Sequence, residues 1–113
     1  MLNENKESTK RPGIKIVVGD DGALVCLSGR IDVDSSPAVR DRVLQLLQAA
    51  RAKRVAIDLS AVTHIDTSGI ATLIEALKIA RGNKTELRLQ GLHDQLLRLF
   101  ECTGMLSLFN GSI

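Results

Sequence analysis

The sequence predicts an α/β domain, a small mixed sheet of four to five strands with helices packed against it, in the order β-β-α-β-α-β-α. Three observations predict it. Short apolar runs rich in branched residues alternate with longer stripes at helical spacing. Turn and cap residues fall at the boundaries between them. The length, 113 residues, suits one hydrophobic core and is too short for two.

Met1 to Gly13 is polar and without periodicity, so residues 1–13 read as a flexible tail and 14–113 as a single domain. Ile14, Ile16 and Val18 alternate along a first strand. Gly19-Asp20-Asp21-Gly22 tolerates turn dihedrals, and the apolar run Ala23 to Leu27 returns as the second arm of a β-hairpin. After Gly29 a polar loop leads to Ser35-Ser36-Pro37, a helix-start signal. The first helix is expected over Ser36–Arg51, burying Val39, Val43, Leu46, Leu47 and Ala50 and leaving Arg40, Asp41, Gln45 and Gln48 to solvent. The cations from Arg51 to Arg54 fall where that helix should end, the end that favours positive charge.

Val55 to Leu59 reads as a strand buried on both faces of a parallel sheet, with Asp58 inside it. Ile70, Leu73, Ile74 and Leu77 form the stripe of a second helix over Ser68–Arg81, stopped by Gly82-Asn83. Thr85 to Gln90 alternates again, with Leu87 and Leu89 on one side. Leu92, Leu96, Leu99 and Phe100 mark a third helix over Leu92–Cys102, closed by Gly104, and Met105 to Phe109 reads as a last short strand or turn. Helical crossovers between strands are right-handed, so the later strands should run parallel beside the antiparallel hairpin.

Composition narrows the function. Aromatic content is 2%, with no Trp or Tyr, so the stacking platforms of single-strand nucleic-acid binders are missing. The formal charge is +2, with basic residues scattered among acids, and no nucleic-acid partner is expected. The polar stretch Met1 to Pro12 lacks the apolar core of a signal peptide, and no apolar run approaches the ~18 residues of a membrane span. A cytoplasmic protein without direct membrane insertion is expected. Cys26 and Cys102 stand far apart without CxxC or clustered His, and read as buried small hydrophobes, not as a disulfide or metal site.

One segment departs from core-and-surface patterning: Val62-Thr63-His64-Ile65-Asp66-Thr67-Ser68-Gly69, between a strand and the second helix. Loops after the carboxyl ends of parallel strands form the usual binding edge, and a helix N-terminus offers free N–H groups to an anion. A phosphate on Thr67 or Ser68 would lie near those donors. Asp, Thr and Ser are also preferred N-caps regardless of function, so capping and modification both fit the pattern.

The stretch IDLSAVTHIDTSGIATL, with SGRID at Ser28 to Asp32 and LLRLFECTGM near the end, resembles the STAS domain of bacterial anti-sigma-factor antagonists over roughly Ile14 to Phe109. The resemblance implies a protein-binding switch that sequesters an anti-sigma factor serine kinase and so releases a sigma factor, phosphorylation weakening the contact. It makes Thr67, directly after the motif aspartate Asp66, the phosphoacceptor, where family antagonists usually carry serine; Ser68 is the next candidate. Asp32 matches the Gly-x-x-Asp aspartate near the partner-contact edge. Asp32, His64, Asp66, Thr67, Ser68 and Gly69 form the expected partner-binding set, Gly69 by letting a partner's backbone come close. The family commonly continues with another helix, so part of the core cover is expected to be missing or to come from a partner.

The STAS subunit of ABC transporters that move phospholipids between bacterial membranes resembles this chain too. LRLQGLHDQLLRL fits it as well as it fits antagonists, and its partner would be the transporter's ATPase. An enzyme is the third class. His64 and Asp66 are the candidate acid-base groups, but no third orienting group or nucleophile elbow stands near them in sequence. With no Walker or Gly-x-Gly-x-x-Gly motif, no cofactor is expected, and a kinase partner would bring its own ATP and magnesium. The sequence does not fix the oligomeric state.

Overall fold

The computed structural model describes residues 13–20, 22–48 and 53–109. The elements run β1 (Gly13–Val18), β2 (Gly22–Ile31), α1 (Ser36–Gln48), β3 (Arg54–Ile65), α2 (Thr67–Gly82), β4 (Glu86–Gln90), α3 (Asp94–Cys102) and α4 (Met105–Leu108). The four strands form one sheet in the order β1-β2-β3-β4, with β1 antiparallel to β2 and the other pairs parallel, as the crossover argument requires. Residues 1–12 of the expected tail lie outside the described residues, and Gly13 already pairs with Ser28 in β1.

The register lines up Ile16, Val25, Ile57 and Leu89 across all four strands. Val25, Ile57 and Leu89 are fully buried there, under Val39, Val43 and Leu47 of α1 and Leu73, Ala76, Leu77 and Ala80 of α2. The neighbouring ladder, Lys15, Cys26, Asp58 and Gln90, belongs to the opposite face, which is only partly covered. The strand expected to be buried on both faces is therefore buried on one. Its polar Asp58 fits because the open face lets the carboxylate accept from the Ser60 N–H at 2.8 Å, which holds it below the usual carboxylate range.

β3 is more than twice as long as its apolar run suggested. Its buried residues fall at Val55, Ile57 and Leu59 with period two, then at Val62 and Ile65, each three further on. Two register shifts against β2, between Cys26 and Ser28 and between Gly29 and Arg30, supply the extra residues. Gly29 takes φ +83° at the second shift, a left-handed backbone open to glycine without penalty. β2 likewise continues through the expected polar loop to Ile31, so both strands end beside the candidate segment.

The helices start and stop close to the expected positions. α1 ends at Gln48 among the described residues, and Ala50 and Arg51 lie outside them; Arg54 belongs to β3 and pairs with Glu86, so it is no helix-terminal cation. α1 and α2 pack side by side, joined by a bidentate Arg40–Glu75 pair at 2.7 and 2.8 Å and by Asn83 Nδ2 donating to Leu47 O. The last segment is a helix, not a strand or turn. Gly104, at φ +76°, breaks the chain from α3, and α4 then buries Met105, while Phe109 at its end is buried as completely as Phe100. Met105 and Phe109 both join the core cluster. Cys26 is half-buried on the open face and Cys102 is exposed at the end of α3; both are free thiols, and neither is the fully buried hydrophobe expected.

Candidate functional site

The carboxyl ends of β2 and β3 meet through Ile31 and Ile65, and the ladder carries one step further as the Asp66 N–H donates to Ile31 O at 3.1 Å. This places the chain after β2 (Asp32 to Ser35) against the first turn of α2. Asp66 is the N-cap. Its Oδ1 accepts from the N–H of Ser68 at 2.9 Å, the N–H of Gly69 at 3.2 Å and the Ser68 hydroxyl at 2.6 Å. The Ser68 hydroxyl is the main cause holding the Asp66 carboxyl below its ordinary range; the amides of Gly69, Ser68 and Val33 add to it, against a desolvation cost.

Asp32 organises the facing loop. Its Oδ1 accepts from the N–H groups of Asp34 at 3.0 Å and Ser35 at 3.1 Å, and its own N–H donates to Ser35 Oγ at 2.9 Å. The Ser35 hydroxyl in turn donates to Arg30 O. Pro37 in the first turn of α1 has no N–H to satisfy. The two helix starts are joined by hydroxyls: Ser36 Oγ lies 3.0 Å from Ser68 Oγ and also reaches Asp32 O. Two hydroxyl protons thus serve three oxygen contacts, counting the Ser68–Asp66 bond.

Thr67 differs from its neighbours. It is exposed at the start of α2, and among the described residues its hydroxyl makes no hydrogen bond. Ser68 is half-buried with its hydroxyl engaged on both sides. Gly69 is buried, and an added Cβ would lie 2.6 Å from Ile65 Cγ1 and 3.0 Å from Ile31 O. Packing inside the domain requires this glycine. His64 is exposed on β3 opposite Arg30, one residue from the buried Ile65.

The structure therefore brings Asp32, Asp66, Thr67 and Ser68 to one edge, with His64 beside them. Sequence reasoning placed Ser36 only as a helix start and did not single out Val33, whose backbone N–H helps hold the Asp66 carboxyl below its ordinary range. No local signal marks a hydroxyl contact between residues 32 positions apart. His93 was also missed: its Nε2 meets Val62 O at 3.1 Å, and it lines a groove of about 580 Å³ with His64, Gln95, Leu96 and Leu99. Chemically, His64 makes no hydrogen bond to Asp66, Thr67 or Ser68 among the described residues, and Asp66, made more acidic by its donors, is a weakened base. What the edge offers is an exposed hydroxyl beside carboxylates fixed by local hydrogen bonds.

The elements and this edge define a small α/β domain with a mixed four-stranded sheet, and the comparisons name its family. A family model described as "Mlab, STAS domain" matches residues 17–109, and the chain belongs to the STAS-domain family. The anti-sigma-B factor antagonist of Listeria monocytogenes is 36% identical over 81 residues, covering 72% of this chain and 70% of that one. An anti-sigma factor antagonist from Mycobacterium paratuberculosis superposes with a TM-score of 0.79 at 22% identity, over 88% of this chain and 83% of that one. The Bacillus cell fate determinant SpoIIAA in its phosphorylated form superposes with a TM-score of 0.69 at 11% identity, over 86% of this chain and 88% of that one. Among the described residues no helix is long and apolar enough to cross a membrane.

Proposed function

We propose that this chain is an anti-sigma-factor antagonist whose edge around Asp32, Asp66 and Thr67 binds a kinase-type anti-sigma factor and thereby frees a sigma factor, with phosphorylation of Thr67 weakening the contact. The observation that carries the reading is the Thr67 hydroxyl, exposed and without a hydrogen-bond partner among the described residues, in a turn whose other polar groups are engaged. In the transfer, Thr67 Oγ1 bonds to the γ-phosphorus of the kinase's ATP as the bond to ADP breaks, and the hydroxyl proton passes to the kinase. The product carries about −1.5 to −2 charges beside Asp66, which repels within a contact surface. Ser68 is the cap partner of Asp66 and not the acceptor. The curated relative's name and the phosphorylated form of a shared fold support this reading.

The test is phosphorylation by the purified kinase-type anti-sigma factor of the source genome with magnesium and ATP, mapped by mass spectrometry. One phosphate on Thr67 is expected, lost in Thr67→Ala and kept in Ser68→Ala. Modification confined to Ser68, or none in the presence of an active kinase, would contradict the reading.

A further inference from the structure

Val33 is the most exposed large hydrophobic side chain among the described residues, at 69%. Single exposed apolar residues are common and usually carry no meaning. Val17 and Val18, at 51% and 67%, are such cases, next to the hairpin turn at the end of the edge strand β1. Val33 is placed differently. The N–H groups of Asp32, Asp34 and Ser35 bond within its loop, and its own N–H helps hold the Asp66 carboxyl below its ordinary range. The loop is thus ordered from within and owes nothing to burial of the valine. A branched side chain with few rotamers is presented to solvent in the loop that faces the first turn of α2.

Its surroundings state what would cover it. Asp32, Asp34 and Asp66 carry carboxylates in the same loop pair, and Arg30, ion-paired to Asp32 at 3.9 Å, is the cation facing them. An apolar knob ringed by acidic groups fits an apolar socket bordered by Arg or Lys, and it is continuous with the phosphoacceptor turn. We propose that Val33 is the apolar anchor of the partner contact, seated in such a socket on the kinase-type anti-sigma factor. This inference rests on the proposed function. It adds the residue that supplies apolar contact and the chemistry of the surface that receives it. The division of labour is set by physics: the valine acts mainly on dissociation, and the carboxylates act on encounter and its salt dependence.

Calorimetry and surface plasmon resonance against the purified kinase-type anti-sigma factor of the source genome test it, with four proteins: wild type, Val33→Ser, Val33→Ile and Val18→Ser. Val33→Ser should weaken binding about tenfold or more, mainly through a faster koff, with Tm unchanged. Val33→Ile should retain binding, and Val18→Ser, equally exposed at the other end of the sheet, should bind as wild type. Asp34→Asn should lower kon and flatten its dependence on salt while leaving koff nearly as it was. Wild-type affinity in Val33→Ser, alongside loss of binding in Thr67→Glu, would overturn the anchor and leave the switch standing. Equal losses in Val33→Ser and Val18→Ser would overturn it as mere surface hydrophobicity. Failure of the wild type to bind would overturn both.

Discussion

At Gly69 an added methyl would meet Ile65 Cγ1 at 2.6 Å and Ile31 Cγ2 at 2.9 Å, and these side chains belong to strand ends that cannot separate without breaking the β2–β3 ladder. Gly69→Ala is expected to cost about 1–3 kcal/mol, read as a lower urea midpoint at unchanged slope. An unchanged midpoint would show that the turn has slack. Asp66 makes a second prediction. Its carboxyl is more acidic folded than unfolded, so its contribution is whole above the unfolded carboxylate range near pH 4 and is lost as pH falls through the lower folded value. Asp66→Asn keeps a capping side chain but cannot titrate, so its stability should fall less steeply below about pH 4 than the wild type's. Parallel acid limbs in the two proteins would contradict the assignment. At this scale the Asp66-Thr67-Ser68-Gly69 turn was legible because its bonds are local. The Ser36–Ser68 contact was not, because it joins residues that only the finished β2–β3 pairing brings together.

Among the elements, helices α1, α2 and α3 were legible from their apolar stripes, since about two and a half turns or more repeat the signal in each. β3 was legible only up to Leu59. Beyond it each register shift adds a residue, the period of two becomes three, and Val62 to Ile65 reads as loop although it pairs with β2. α4 was missed for the opposite reason: four residues, Met-Leu-Ser-Leu, are too few to separate one helical turn from a strand. Its role is testable. Phe109, fully buried at the end of α4, should cost about 3–5 kcal/mol when changed to Ala, with thermal unfolding still cooperative. A loss below 1 kcal/mol, about the size of a surface change, would place that segment outside the core.

For the molecule as a whole, the sheet order sets a gradient of protection. β2 and β3 are central, while β1 and β4 are edges, so amide exchange should be slowest at Val25 and Ile57 and faster along β1. The proposed binding edge lies at the carboxyl end of that stable centre, held by Asp66 N–H to Ile31 O. A charge added to the exposed Thr67 therefore acts on the contact surface without reaching the core, and the N-terminus of α2 offsets part of its cost by about 0.3–1 kcal/mol. Folding and binding should separate under a single substitution. The direct measurement is the Kd of wild type and Thr67→Glu for the purified kinase-type anti-sigma factor, with Tm recorded for both. The switch predicts an unchanged Tm and binding weakened at least about tenfold, roughly 1.4 kcal/mol; equal affinity of the two proteins would contradict it.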